Sequence, residues 1–430
     1  MSVETLNALR RGELAGVREL TLRAGLTELP REVLALADTL EVLDLSGNAL
    51  SELPADFSRL QKLRVLFGSG NRFERLPPVL GDCAALSQVG FRGAGVRELP
   101  AESLPPQLRW LTLTDNQLQR LPTALGERPR LRKLMLAGNH LSALPDTMQG
   151  LQQLELLRLS ANRFDALPAW LSTLPRLAWL AWAGNPMDAA RSHAVPAAEI
   201  DWRDLRLGEH LGEGASGHIH AARWSAGTAP TGDVAVKLFK GAMTSDGLPE
   251  REMDAALAAG AHPHLLGAHG RLVGHPDGAA GLVLPRLPTH WRPLAAPPSL
   301  ASCSRDVYDP ALRLAPAVVQ HIAHAIAQAG AHLHACGYAH GDLYAHNTLW
   351  DGAHGEAMLS DLGAASLLPA DPAASRALQA LDVRAWGILL GELLACCPEP
   401  LPALQQLQTE CVQADGTQRP SLAEVSQRLA

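Results

Sequence analysis

Residues 108–122 read LRWLTLTDNQLQRLP and residues 131–145 read LRKLMLAGNHLSALP. The two stretches place Leu, Leu, Leu, Asn, Leu and Leu-Pro at identical offsets, 23 residues apart. Working outward, the same frame recurs as LEVLDLSGNALSELP from Leu40, LRVLFGSGNRFERLP from Leu63 and LSQVGFRGAGVRELP from Leu86. It continues as LELLRLSANRFDALP from Leu154 and LAWLAWAGNP from Leu177, with a degenerate copy, VRELTLRAGLTELP, from Val17. A near-constant period of this length signals stacked supersecondary units and takes precedence over residue-by-residue reading. Within each unit the x-L-x-L run alternates, which predicts a short strand with its Leu side chains turned inward. The Asn that follows (48, 71, 116, 139, 162, 185) turns the chain, and its amide can satisfy backbone groups the turn leaves unpaired. Ala94 stands in that place in one copy, so its turn must find other partners. No unit can bury its Leu face alone, so the units stack into a curved solenoid.

The pattern resembles the leucine-rich repeat, L-x-x-L-x-L-x-x-N-x-L, over roughly residues 17–186, which implies an α/β solenoid occupying residues 1–186. Two columns of strand residues would then line the concave face. One reads Val42, Val65, Gln88, Trp110, Lys133, Leu156, Trp179; the other reads Asp44, Phe67, Gly90, Thr112, Met135, Arg158, Ala181. Phe67, Trp110, Met135, Leu156 and Trp179 are expected to face water there, and exposed apolar groups in a patch mark binding surfaces. A protein substrate or partner on that face is the expectation. Residues 187–202, MDAARSHAVPAAEIDW, read as cap and linker.

Composition limits the remaining possibilities. Hydrophobic residues make up 47% and charged residues 19% of the 430, a globular balance that argues against disorder. The net charge of −7 offers no electrostatic case for nucleic acid or acidic lipid. Residues 1–200 hold 22 Lys+Arg against 21 Asp+Glu, and the rest holds 15 against 23, so the acidity lies in the second half. Six Cys without a C-x-x-C pair read as reduced thiols in a cytoplasmic protein. The N-terminus has no apolar core of a secretory signal, and the longest apolar run, 385–397, is too short to span a bilayer. No membrane partner is expected.

The second half carries the chemistry. LGEGASGHI (211–219) fits G-x-G-x-x-G-x-[VI] through Gly212, Gly214, Gly217 and Ile219. By itself this arises by chance in roughly one such chain in four. DVAVKLFK follows, with Lys237 twenty residues past the last Gly, in a chain holding only four Lys. The Gly segment runs into a second strand rather than a helix, so it reads as a hairpin lid over phosphates and not a dinucleotide-binding turn. YAHGDLYAHNTLW then sets His340, Asp342 and Asn347 as H-x-D-x-x-x-x-N, and LSDLG supplies Asp361 and Gly363.

Gly-loop, V-A-V-K, H-x-D-x-x-x-x-N and D-x-G occur in the order of a protein kinase catalytic domain, which residues 203–430 resemble. Glu252 ahead of HPHLL, LDVRAWGILLGELL from Leu381, TQRPSLAEV from Thr417 and the hinge-like LVLPRLP (282–288) agree. The expected architecture is therefore an α/β leucine-rich repeat solenoid followed by an α+β bilobal protein-kinase-like domain. The resemblance implies ATP and Mg²⁺. Leu211, Gly212, Glu213, Gly214, Ala215, Ser216, Gly217, Ile219 and Ala235 would enclose the nucleotide. Pro285 and Leu287 would offer hinge backbone groups to its base. Lys237, held by Glu252, would meet the α- and β-phosphates, Asn347 and Asp361 would ligate Mg²⁺, and Asp342 would orient the acceptor hydroxyl. His340 reads as a buried structural histidine. The pairs His321/His324 and His332/His334 fall on an amphipathic helix and read as surface or core residues.

Three departures stand out. Gly341 precedes Asp342 where the family commonly has Arg, so control by a phosphorylated activation loop is not expected. Tyr344 stands where Ser/Thr kinases carry Lys and tyrosine kinases a small residue, which leaves the acceptor open. The stretch from Asp361 to Asp382 is short and lacks an A-P-E element, and 290–310 reads as an irregular Pro-rich insertion. The expected function is ATP-dependent phosphorylation of a protein, favouring Ser/Thr, with the repeats choosing the partner. A kinase-like scaffold with weak transfer and a small-molecule kinase, suggested by H-G-D, are the alternatives.

Overall fold

The computed structural model describes residues 2–188, 198–214, 216–225, 232–241, 243, 244 and 246–430. Ala215 and most of the expected linker, 189–197, lie outside the described residues. The chain forms two compact units, Met1–Arg176 with Asn185–Met187, and Leu177–Gly184 with Asp188–Ala430.

The first unit opens with helix α1 (Ser2–Arg10). Each repeat then lays down one three-residue strand: β1 (Glu19–Thr21), β2 (Val42–Asp44), β3 (Val65–Phe67), β4 (Gln88–Gly90), β5 (Trp110–Thr112), β6 (Lys133–Met135) and β7 (Leu156–Arg158). Neighbouring strands run parallel, and Leu20, Leu43, Leu66, Val89, Leu111, Leu134 and Leu157 fall in one register row. All seven are buried, as the inward half of the alternation requires. The return of most repeats is a 3₁₀ turn that begins just after a Pro, as at Pro77, Pro122 and Pro145, where the fixed φ favours helix initiation, whereas Phe57–Arg59 begins after Asp56.

The repeat Asn side chains act between copies. Asn116 donates to Phe91 O at 2.8 Å and to Leu113 O at 3.0 Å, while its Oδ1 accepts from Ala94 N and Val96 N. Asn48, Asn71, Asn139, Asn162 and Asn185 repeat the arrangement, each reaching back one repeat. Ala94 has no amide to offer, and its own N–H is served by Asn116 of the next copy.

The concave columns are less exposed than the alternation predicts. Phe67 and Trp110 are half-buried, whereas Met135 and Leu156 are buried and Trp179 is 1% exposed. The Lys133 ammonium lies 4.2 Å from the centre of the Trp110 ring, and Trp110 Nε1 donates to Thr112 Oγ1. This shields part of a ring that the pattern alone leaves in water.

In the second unit the first strand is β8 (Trp179–Ala181), whose sequence is the last repeat. A six-stranded sheet follows, built from β9 (Glu199–Asp201), β10 (Leu205–Glu213), β11 (Gly217–Trp224), β12 (Gly232–Phe239), β13 (Gly270–Val273) and β14 (Gly281–Pro285) in the order β10-β11-β12-β14-β13-β9. Strand β9 corrects the reading of 187–202 as cap and linker only. Ile200 is 2% exposed and packs with Val236, Leu272 and Val283, so burial recruits this segment to the sheet. Helix α2 (Pro249–Ala259) packs against β13.

The helical half holds α3 (Pro316–Ala335), α4 (Pro372–Ala395), α5 (Pro402–Cys411) and α6 (Leu422–Leu429). Beside them lie β15 (Arg292–Pro293), β16 (Tyr338–Ala339), β17 (Thr348–Trp350), β18 (Ala357–Leu359) and β19 (Ser366–Leu367). The insertion at 290–310 is not irregular throughout, because β15 pairs with β17 and Ala296 bridges Val307. Among the described residues no helix is long and apolar enough to cross a membrane.

Candidate active site

Strands β10 and β11 form the Gly-rich hairpin, in register Gly212–Ile219 and Glu213–His218. Gly214 N donates to Gly217 O at 3.0 Å and closes the tip. Lys240 anchors it from β12's end by donating to Gly214 O and pairing with Glu213. The three glycines differ in what requires them. A Cβ on Gly217 would overlap the Leu238 carbonyl oxygen, so packing forbids it. On Gly212 or Gly214 a Cβ would meet nothing within 4 Å, so the protein's own atoms leave room there. Leu211 is exposed, Ser216 buried and Ile219 half-buried.

Lys237 lies on the central strand β12, opposite Leu282 of β14, and its ammonium pairs with the Glu252 carboxylate of α2. Both side chains are almost fully buried, at 10% and 5% exposure. Burial pushes the Glu252 carboxyl up to about 7, aided by the negative charge of Asp361 and opposed by Lys237. For Lys237 burial is the largest influence, yet the charges of Asp361 and Glu252 outweigh it and hold the ammonium above its ordinary value. An ion pair kept this dry is costly to maintain unless something further uses the charge. Ala235 pairs Leu284, and β14 ends at Pro285, which places Pro285 and Leu287 at the strand exit beside the hairpin's base.

The opposite wall is the loop after β16. Asn347 Nδ2 donates to both the backbone carbonyl and Oδ2 of Asp342, each at 2.9 Å. Asn347 O accepts from Ser360 N, which draws the segment before Asp361 alongside. Asp361 is exposed, adopts φ +59°, and accepts from Gly363 N at 3.0 Å. A left-handed backbone at a non-glycine residue is strain held by its surroundings and marks a place to look for function.

Behind this wall lies Asp382 of α4. Its carboxylate accepts from His340 N at 2.7 Å, Gly341 N at 3.0 Å and His334 Nε2 at 2.9 Å. Burial opposes its charge, but these donors and the nearby imidazoles hold its pKa below the usual range. His340 is fully buried, its ring bonds Ser360 O and Asp342 N, and burial lowers its pKa. Arg419 ties α4 to the loop after α5, donating to the Ala380 carbonyl and to those of Gln413 and Ala414.

The structure thus brings Lys237, Glu252 and Asp361 into mutual electrostatic reach and fastens Asn347 to Asp342. Helix α4 begins at Pro372, capped by the Asp371 side chain, so ten residues separate it from Asp361. Two histidines of α3 make bonds to other elements. His332 bonds Ala259 O and stacks on His262, while His334 bonds Asp382. His210, Glu213 and His218 bring three ligand-type atoms within 4.8 Å of one another on the hairpin, although Glu213 already pairs with Lys240. The sequence reading missed that cluster, whose only signal is the hairpin register.

Residues 205–386 match the family model described as protein tyrosine and serine/threonine kinase. Residues 106–164 and 129–187 match one leucine-rich repeat model, and 39–60 match another. No curated protein matches the chain.

Proposed function

Since the chain carries leucine-rich repeats followed by a protein kinase domain, we propose that it transfers the γ-phosphoryl group of ATP to a protein hydroxyl, Ser/Thr by preference, in the cytoplasm. One observation carries this reading. A buried ammonium–carboxylate pair, Lys237 and Glu252, sits within electrostatic range of Asp361, beneath a hairpin whose Gly212 and Gly214 leave room. Phosphoryl transfer asks a protein mainly for positioning and charge neutralisation. With no Cβ at Gly212 or Gly214, the hairpin backbone can come close to phosphate oxygens. Glu252 keeps Lys237 charged and aimed, and Lys237 meets the α- and β-phosphates. Asp342, steered by the Asn347 amide, orients the acceptor hydroxyl and takes its proton.

The donor set fits a hard divalent cation, since Asn347 and Asp361 offer oxygen ligands on adjoining segments. Mg²⁺ held there would neutralise phosphate charge. Pro285 and Leu287 keep the backbone C=O and N–H that a purine base can bond. Phe67 and Trp110, the half-buried concave residues, are the positions through which the repeats would engage a protein partner. The six cysteines are unpaired, which suits a reducing compartment.

Incubation with γ-labelled ATP and Mg²⁺, alone and with a generic protein substrate, tests the reading. Transfer lost in Asp342→Asn supports it, and phosphoamino-acid analysis distinguishes Ser/Thr from Tyr. Nucleotide binding without transfer would favour the scaffold. One observation favours a non-peptide acceptor: ten residues between Asp361 and α4 leave little chain for docking an extended peptide.

A further inference from the structure

The strand β8 belongs by sequence to the repeats, yet its side chains are spent on the phosphotransfer centre. Trp179 is 1% exposed. Its Nε1 donates to the Leu343 carbonyl at 3.0 Å, and its ring stacks on Tyr344 with centres 4.1 Å apart and planes 9° apart. Leu343 and Tyr344 are the two residues that follow Asp342. The Arg305 guanidinium lies 5.6 Å from the Trp179 ring centre, and the Tyr344 hydroxyl donates to Ser304 O at 3.1 Å. The insertion and β8 therefore hold Tyr344 from two sides.

The neighbouring Trp182 fastens the other strand of the centre. Its backbone N–H donates to Ser366 Oγ at 2.9 Å, and its Nε1 donates to Leu367 O at 3.1 Å. Ser366 and Leu367 form β19, which pairs with β16 just ahead of the catalytic loop. Between the two tryptophans, the Leu180 carbonyl closes over Gly341. A Cβ on Gly341 would come within 2.5 Å of that oxygen and 2.9 Å of Ala364 O, at a residue already at φ +69°. The position before Asp342 thus has no space for a long basic side chain. Ser366 is fully buried with its hydroxyl engaged, and so has no access for a modifying enzyme.

We propose that Trp179 and Trp182 are positioning residues of the phosphotransfer centre, and that β8 braces the catalytic loop and the segment after Asp361 without any activating phosphate. The proposal rests on the phosphotransferase reading given above. Ten residues after Asp361 are too few to fold back as their own support. Strand β8 and the Trp182 that follows it, with two indole N–H donors and a flat ring, supply that support from outside the segment. Holding the loop matters because small displacements of a reacting group are expensive in rate. The tryptophans act through Leu343, Tyr344 and β19, and touch no reacting atom.

The test uses the full chain. Trp179→Phe retains a ring to stack but loses the donor to Leu343, and Ser366→Ala removes the acceptor for the Trp182 N–H. For each, kcat and KM for ATP are measured, with amide exchange across 341–347 and 364–368. The expected result is a fall in kcat of about tenfold with KM for ATP within about twofold. Exchange should quicken in both segments and stay unchanged over 234–239. Wild-type protein pretreated with phosphatase should keep its activity. Unaltered kcat and exchange in Trp179→Phe, or activity abolished by phosphatase, would overturn the proposal. If wild-type protein transfers no phosphate, the functional reading fails, and the exchange comparison still decides whether β8 is the brace.

Discussion

The side-chain amide of Asn347 donates to the carboxylate of Asp342 across five residues, at 2.9 Å, and to the same residue's backbone carbonyl at the same distance. One residue proposed to hold Mg²⁺ thereby also fixes the residue proposed to accept the proton. Asn347→Ala should therefore cost twice, lowering kcat about a hundredfold and raising the Mg²⁺ concentration needed for half-maximal rate. A Mg²⁺ titration of initial rates separates the two effects. A variant whose rate is restored fully by excess Mg²⁺ would show that the bond to Asp342 contributes nothing.

Lys237→Met leaves Glu252 buried beside the charge of Asp361 with its counter-ion gone. Burial already holds that carboxyl at about 7, and loss of the ammonium moves it higher. A buried carboxyl with a raised pKa is penalised when ionised, so the stability loss is fullest above the folded pKa and is relieved as protonation sets in below it. At pH 8 the second unit should lose about 3 kcal/mol. The loss should shrink on going to pH 6, and Lys237→Met with Glu252→Gln should recover most of it at either pH. Denaturant melts at the two pH values measure this, and a pH-independent loss would contradict the assignment.

The glycines of the hairpin should divide by function. Gly217→Ala forces a Cβ onto the Leu238 carbonyl and should cost the fold about 2 kcal/mol. Gly212→Ala and Gly214→Ala meet no protein atom within 4 Å and should melt like wild type. Their effect should instead be weaker nucleotide binding, by about tenfold, read by titration with a fluorescent ATP analogue. Equal melting losses at all three positions would mean that packing alone selects glycine here.

Arg419 is 2% exposed, and burial lowers its pKa to about 10. Three carbonyls, on Gln413, Ala380 and Ala414, depend on its guanidinium. Arg419→Met keeps much of the volume but removes the donors that join the three carbonyls, so a loss of about 3 kcal/mol is expected, and Arg419→Lys should restore little because one ammonium cannot span the fork. Chemical denaturation of the two variants checks this. Lysine rescuing most of the loss would show that charge, not the planar donor array, is what α4 needs.

The two architectures were legible in the sequence because their signals are local. A 23-residue period and the spacings around Gly212, Lys237, Asp342 and Asp361 need no knowledge of what lies across the fold. The pairing of Lys237 with Glu252 was expected only through the resemblance to a kinase domain, which places such a Glu on the helix ahead of HPHLL. What stayed hidden depends on distant partners. Trp179 was expected on an open concave face, but it bonds Leu343, 164 positions away, and Trp182 bonds Ser366, 184 away. No periodicity encodes such contacts. Ile200 likewise read as linker, because its sheet neighbours, Arg271 to Val273, come much later in the chain. The reading of Gly341 as a missing basic residue was correct in sequence, yet only the Leu180 carbonyl explains why nothing larger fits.

The asparagine of a repeat bonds its own turn and also the turn of the copy before it, so the stack has a direction. Ala94 interrupts that hand-to-hand arrangement. The turn after β3 receives no asparagine from the copy that follows, while the turn after β4 is served by Asn116. Between the copies that start at Leu63 and Leu86 the array is therefore joined without an asparagine bridge, by the backbone ladder, by bonds such as Arg92 N to Ser69 Oγ and Ser103 Oγ to Leu76 O, by the Arg75–Glu102 pair and by apolar packing that includes Phe73 against Phe91. Pulled along its length, the stack of the first unit should therefore yield first at that one unbridged joint.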